Sequence, residues 1–199
     1  MSELIKNGAI IKDEWTLVRY PPVAEEVKKQ AGKPVLFKIT GSEAATAERI
    51  ASVVIPTGRV IVPLAVWRAR SKELAPQLAA GELGVWLESF ELVEDLVASI
   101  DDINALPVIA YDFPKFVDGR GFSAATLLRI RYGYKNELRA IGDVLRDQLY
   151  FMKRCGFDAW AIRSDRSAVD ALAGLNDFSD PYQGSADDPR PLWRRHARG

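Results

Sequence analysis

The feature that most constrains this chain is a rhythm that sets in at Arg59. Short apolar runs at Val60–Trp67, Gly84–Leu87, Pro107–Tyr111, Leu138–Ile141 and Ala159–Ile162 alternate with segments of helical character. The helical segments span about Ser71–Ala80, Phe90–Ile103, Ser123–Tyr132 and Val144–Cys155. Apolar runs of this length separated by helices are the pattern of βαβ crossovers and a largely parallel sheet. Gly81, Gly133 and Gly156 fall just past three of the helices, where a left-handed cap is wanted. The expected class is therefore α/β, with a mostly parallel sheet of about five strands built from repeated βα units. Such a sheet is either doubly wound or curved like part of a (β/α) barrel, and the periodicity fits both.

The N-terminal part follows another pattern. AIIKDEWTLVRY, within the first twenty residues, reads as one or two short strands around the polar break at Lys12–Glu14, a short β element. Val35–Ile39 (VLFKI) is a further β-like run. From Ser42 to Val54, Ala44, Ala47, Ile50, Ala51 and Val54 recur at helical spacing, with Ser42 as a candidate N-cap. After Asp165 a short helix is expected at about Ser167–Leu175. Residues 1–183 are expected to form a single α/β domain, and residues 184–199, rich in Pro, Gly and charge, a mobile tail. Trp193 with Arg190, Arg194 and Arg195 would be the part of that tail on which a partner could dock; the alternative is a frayed terminus.

Composition removes several classes of function. Lys and Arg together number 27 and so do Asp and Glu, so the basic field of a nucleic-acid-binding protein is missing. One cysteine, Cys155, allows no intrachain disulfide and fits a cytoplasmic protein. The one histidine, His196, sits in the tail, so a Cys/His zinc site or a histidine-based catalytic triad would need the tail to fold back. No metal site is expected. No stretch approaches the roughly 20 apolar residues of a membrane span, and Met1–Lys12 lacks the character of a secretory signal.

The residues with chemical potential are densest between Asp112 and Asp147. YDFPKFVDGRGFSAATLLRIRYGY (Tyr111–Tyr134) places a strand end near Asp112, then a loop with the turn Asp118-Gly119-Arg120-Gly121, then a helix opening at Ser123. In parallel α/β sheets ligands sit beyond the carboxyl ends of the strands, beside helix N-termini. Lys115, Asp118, Gly119, Arg120, Gly121 and Ser123 would there form an anion-binding loop for phosphate, sulfate, sulfite or a nucleotide. The competing reading is a capped loop in which Asp118 bonds turn amides and Arg120 is exposed. In the next unit Asp143 is a candidate N-cap, and Asp147 follows one turn later on the same side. Two carboxylates so placed imply a nearby cation, with Arg120, Arg139 and Arg146 the candidates, or a pair poised for acid/base work or a Mg²⁺ ion. Both loops should open on one edge of the sheet. Asp112, Asp143 and Asp147 are thus the catalytic candidates, and Arg139 and Arg146 join the anion-binding set. Arg129 and Arg131 should point about 200° apart on a helix and cannot share a ligand. Cys155, at an apolar helical position, is expected to be a small buried hydrophobe; a redox role would need exposure and a lowered pKa.

The run FPKFVDGRGFSAATLLRIRYGYKNELRAIGDVLRDQLYFMKRCGFDAW closely resembles the signature of a bacterial family known as domain of unknown function 934. VIVPLAVW and LGVWLES extend the resemblance from Arg59 to Tyr182–Gln183. The family has no established activity, cofactor or catalytic residues to carry over. Its genes often stand beside those of assimilatory sulfite reductase, and members are sometimes labelled oxidoreductases. The resemblance therefore implies an accessory part in sulfate and sulfite reduction, with the reductase or a small oxyanion as partner. The residues also admit an enzyme acting on a phosphorylated or sulfur-containing small molecule, using an Asp acid/base and an Arg clamp. Neither the cysteines of an iron–sulfur cluster nor a strand–GxGxxG–helix fingerprint is present.

Overall fold

The computed structural model describes residues 3–21 and 44–195. Eight strands form one curled sheet: β1 (Glu3–Lys6), β2 (Ala9–Lys12), β3 (Thr16–Leu17), β4 (Val60–Pro63), β5 (Leu83–Leu87), β6 (Val108–Phe113), β7 (Glu137–Gly142) and β8 (Ala159–Trp160). Their order is β2-β1-β8-β7-β6-β5-β4-β3. From β3 to β8 every pairing is parallel, while β1 pairs antiparallel with both β2 and β8. Each of the five apolar runs coincides with or overlaps a strand. The expectation of about five strands is corrected by three N-terminal ones that join the same sheet. Asn7 and Gly8, both at positive φ (50° and 79°), make the two-residue turn between β1 and β2, a geometry whose twist matches the flanking strands.

Among the described residues seven helices connect or follow the strands: α1 (Ala47–Ala51), α2 (Leu64–Ala79), α3 (Val93–Val97), α4 (Arg120–Thr126), α5 (Leu149–Cys155), α6 (Ala168–Leu172) and α7 (Leu192–Arg195). Short 3₁₀ turns occupy Ile103–Ala105, Arg146–Gln148 and Ala173–Asn176, and Leu127–Arg131 is a π-turn. Gly81, Gly133 and Gly156 all adopt positive φ, as their places after helices require.

Several boundaries differ from expectation for identifiable reasons. The run Val60–Trp67 splits at Pro63, which ends β4 and serves as N-cap of α2, so this helix begins at Leu64 rather than Ser71. The segment expected to start a helix at Ser123 is helical from Arg120, with Gly119 as its N-cap. In the Val144–Cys155 segment regular α-helix starts only at Leu149. Thr46 caps α1 by accepting from the Arg49 amide at 3.3 Å. The strand expected at Val35–Ile39 and the cap at Ser42 lie outside the described residues, as does His196.

The two faces of the sheet answer the question of winding. Val60, Val62, Val85, Leu87, Ile109, Tyr111, Phe113, Leu138 and Ala140 pack into one large core together with Leu64, Val66, Leu96, Ala124, Leu128, Leu149 and Met152 from the helices. The alternating residues Ile61, Trp86, Val108, Ala110 and Ile141 form a second, smaller cluster with Trp15, Leu17 and Tyr20 and with no helix residue. Among the described residues, helices therefore cover one face only. A sequential strand order with one covered face is the winding of a (β/α) barrel segment, not of a doubly wound sheet. No helix among the described residues is long and apolar enough to cross a membrane.

The segment assigned to the tail carries structure through Arg195. Ser185 Oγ donates to the Arg154 carbonyl at 2.7 Å, the Asp187 amide donates to the same carbonyl at 3.3 Å, and the Tyr182 and Trp193 rings lie 5.6 Å apart.

Candidate functional site

Because β3 to β8 are parallel, their following loops all open on one edge of the sheet. Read along that edge, β3 contributes Arg19 and Tyr20, β5 contributes Glu88, Ser89 and Glu91, and β6 contributes Asp112, Asp118 and Arg120. Asp143 follows β7, and Arg163 and Asp165 follow β8. Ionisable side chains from five of the six parallel strands thus form a row above their C-terminal ends.

Two parts of this row are distinct. In the first, the Asp112 carboxylate accepts from both terminal nitrogens of Arg19, at 3.3 and 3.2 Å. The Arg19 guanidinium also lies 5.5 Å from the centre of the Trp86 ring. Trp86 is fixed in turn, donating from Nε1 to the Val18 carbonyl at 2.9 Å and meeting Tyr20 edge-on. Arg49 stacks on the other partner, its guanidinium 4.9 Å from the Tyr20 ring centre, a favourable cation–π geometry. One Arg49 nitrogen donates to the Pro21 carbonyl at 3.4 Å, while its buried Nε has no hydrogen-bond partner. Glu88 and Glu91 complete the group, the Glu91 carboxylate accepting from the Glu88 amide at 2.8 Å.

Burial dominates the electrostatics here. It pushes Glu91 up to about 7, with the charge of Glu88 adding to the shift. Glu88 is raised by burial and by Asp112, opposed by Arg49 and Arg19. Asp112 is raised by burial even though Arg19 pulls the other way. The Tyr20 hydroxyl is raised by burial and by Glu91 and Glu88, so it stays protonated. A carboxyl group pushed up to about 7 and close to a tyrosine hydroxyl can exchange protons and donate hydrogen bonds to an anion.

The second part is a set of matched ion pairs. Arg120 forks onto Asp118 at 2.9 and 2.6 Å and donates to Ser89 Oγ at 2.7 Å. Arg120 holds the Asp118 carboxyl below its ordinary range. The Ser89 carbonyl accepts from the Tyr111 hydroxyl at 2.9 Å. The Asp143 carboxylate accepts from the Phe116 amide at 2.8 Å and from Arg163 at 2.6 Å. Gly142, at φ 93°, turns the chain so that this carboxylate reaches back to the β6 loop.

The structure distributes the sequence candidates as follows. Asp112, Asp118, Arg120 and Asp143 share the C-terminal edge, but Arg120 is committed to Asp118 and Ser89. The turn read at Asp118-Gly119-Arg120-Gly121 is the start of α4. Gly121 is buried there because a Cβ would come within 2.4 Å of the Phe113 ring. Ser123 is an exposed residue of that helix and Lys115 a partly exposed one of its preceding loop. Asp143 is not a helix N-cap, so the expected repulsion with Asp147 one turn later does not arise. Asp147 is exposed and lines a separate cavity with Arg146, Arg166, Ser167, Asp170 and Asp177, in which Arg146 pairs with Asp177 at 2.9 Å.

Arg139 lies on the uncovered face, 2% exposed, bonded to Glu137 at 2.6 Å and Asp13 at 2.9 Å; its remaining terminal nitrogen has no partner. Arg129 is turned inward and Arg131 is exposed, as their spacing requires. Cys155 is buried and burial raises its thiol. Among the described residues no group of three or more His, Cys, Asp or Glu is placed to hold a metal ion.

Sequence reasoning missed Arg19, Tyr20, Arg49, Glu88, Ser89 and Glu91. For three of them a signal existed. Glu88, Ser89 and Glu91 directly follow the run Gly84–Leu87, and the rule applied to β6 and β7 applies equally to β5.

Comparison with known families gives one match. The model of a family described as bacterial protein of unknown function (DUF934) matches residues 84–193. No curated protein matches the chain.

Proposed function

This chain belongs to DUF934, a family of bacterial proteins of unknown function, and we propose that it is an accessory protein of assimilatory sulfite reduction that holds a small oxyanion at the C-terminal edge of its sheet. The metabolic setting rests on the resemblance of the Phe113–Trp160 segment, and the anion on the geometry of the edge. The observation that carries the anion is the Arg49 guanidinium, whose buried Nε lacks an acceptor while Tyr20 holds the group in place. A buried donor without a partner is costly, and an oxyanion oxygen would satisfy it. Arg19 stands on the same rim, and Glu91 in its protonated form offers a further donor.

Calorimetric titration with sulfite, sulfate and phosphate tests the reading. Binding by the wild-type chain and its loss in Arg49→Met are expected, together with co-purification of the chain with the sulfite reductase. No heat from any of the three anions and no complex with the reductase would sink it.

One observation favours an enzyme instead. Glu91, titrating near 7, is suited to general acid/base work on a phosphorylated or sulfur-containing small molecule. Under that reading Glu91 takes the role expected of Asp112, Asp143 or Asp147, and Arg49 with Arg19 that of the Arg120 clamp. Product formation from a panel of such compounds, abolished by Glu91→Gln while binding persists, would select it.

A further inference from the structure

A cavity of about 660 Å³ lies at the N-terminal end of β8, between the β1–β2 turn, the end of α5, and α6 with the 3₁₀ turn after it. Phe157, Trp160, Val169, Leu172 and Leu175 wall it. This is the size of a small-molecule pocket, and Asn7, Lys153, Asp158 and Asn176 make another part of its lining polar. Trp160 is only 2% exposed, yet its indole Nε1 has no hydrogen-bond acceptor. An indole N–H can only donate, and burying it unbonded is unfavourable, which is why buried tryptophans ordinarily find a partner. At the rim stands Lys153, exposed and without an ion pair among the described residues. The carboxylate of Asp158, also at the rim, is already occupied by Arg129 and the Leu138 amide, both at 2.8 Å. The lining therefore combines one apolar wall with a tryptophan whose buried N–H lacks an acceptor and with one cation unpaired among the described residues.

We propose that this cavity binds a small monocarboxylate with an apolar aliphatic or aromatic body. The body lies against Phe157, Leu172 and Leu175, and the carboxylate oxygens take the Trp160 N–H and the Lys153 ammonium. A neutral ligand of the same shape would leave Lys153 unused, and an inorganic oxyanion would leave the apolar walls uncovered. The site stands apart from Arg19, Arg49 and Asp112, which lie beyond the opposite ends of the strands.

The test uses the full chain labelled with ¹⁵N, whose five tryptophans report through their indole N–H resonances. The resonance lost in Trp160→Phe identifies Trp160. Octanoate and 3-phenylpropionate are titrated as probes, with octanamide and acetate as controls. Octanoate and 3-phenylpropionate are expected to shift the Trp160 resonance downfield, and octanamide and acetate to bind at least tenfold more weakly. Lys153→Ala, at an exposed position, is expected to weaken octanoate at least tenfold and leave octanamide unchanged. Leu172→Trp, or Val169→Phe if that variant does not fold, fills the cavity and removes the response. A Trp160 resonance that ignores both carboxylates at millimolar concentration, or a response that survives both Lys153→Ala and the filled cavity, overturns the proposal.

Discussion

Arg19 and Asp112 are 93 residues apart in the chain, and their side chains meet at 3.2 Å above the ends of β3 and β6. The pair ties the N-terminal segment to the middle of the sheet, and Arg19 is the cation that opposes the burial of Asp112. Removing it by Arg19→Ala should raise the Asp112 pKa further. A carboxyl raised in the folded state binds its proton more tightly there than in the unfolded chain, so folding is disfavoured as pH rises through the folded pKa. The variant should therefore be weakest at neutral pH, by about 1 kcal/mol given the half-exposed arginine, and approach wild type in acid. Carbon-detected titration of Asp112 checks this, and an unmoved titration would refute the coupling.

Glu91 gives a second pH dependence. Its carboxyl is pushed from an ordinary 4.5 up to about 7, so the folded protein holds the proton more tightly between those values, and stability falls as pH rises across them. Glu91→Gln keeps the side-chain oxygen that the Glu88 amide donates to and removes the ionisation. The variant should be more stable than wild type at pH 8, by about 1–3 kcal/mol, with a flatter profile between pH 4.5 and 7. Urea unfolding at a series of pH values measures it; parallel profiles for the two proteins would contradict the assignment.

Gly121 is a packing glycine. The Cβ of Gly121→Ala would meet Phe113 at 2.4 Å and Tyr111 at 2.7 Å, both fixed rings of the main core. Overpacking of this kind should cost about 1–3 kcal/mol. Thermal unfolding reads it. A neutral result would show that the two rings yield freely.

Arg129 should be the least replaceable arginine. Its guanidinium donates to the carbonyls of Gly156, Tyr134 and Asn136 and to Asp158, each at 2.8 Å. Lysine carries the charge but not the planar fork, so Arg129→Lys should still lose about 2–4 kcal/mol. Denaturant unfolding decides, and a loss below about 1 kcal/mol would mean the carbonyls find other donors.

The five later strands were legible because each is an apolar run bounded by helices, a long-range pattern that survives local irregularity. Asn7–Gly8, a strong hairpin dipeptide that makes the β1–β2 turn, was a signal left unread. β2 and β3 lie on either side of the polar break at Lys12–Glu14, as the run AIIKDEWTLVRY suggests, but two residues such as Thr16 and Leu17 carry no period from which bounds or pairing could be read. The winding of the sheet depends on which alternate residues meet helices, and both faces of buried parallel strands are apolar in sequence. At the edge, Asp112 stood out because it lies near the end of a long strand, whereas its partner Arg19 follows one of only two residues. Arg49 reaches the edge from α1, and no spacing relates it to Tyr20. Pairing also reassigns roles: Arg120 looks like an anion clamp in sequence until Asp118 is seen to occupy both arms of its fork.

The sequential order of β4 to β8 has an engineering consequence. Each of these strands pairs only with its neighbours, and each successive unit supplies its own loop to the edge bearing Glu88, Asp112, Asp143 and Arg163. The loops are also bonded to their neighbours, Arg120 to Ser89 and Asp143 to Phe116 and Arg163, so they are not interchangeable one by one. Recognition in such a protein would be retuned by grafting adjacent loops together, with the helix-covered layer kept as the scaffold.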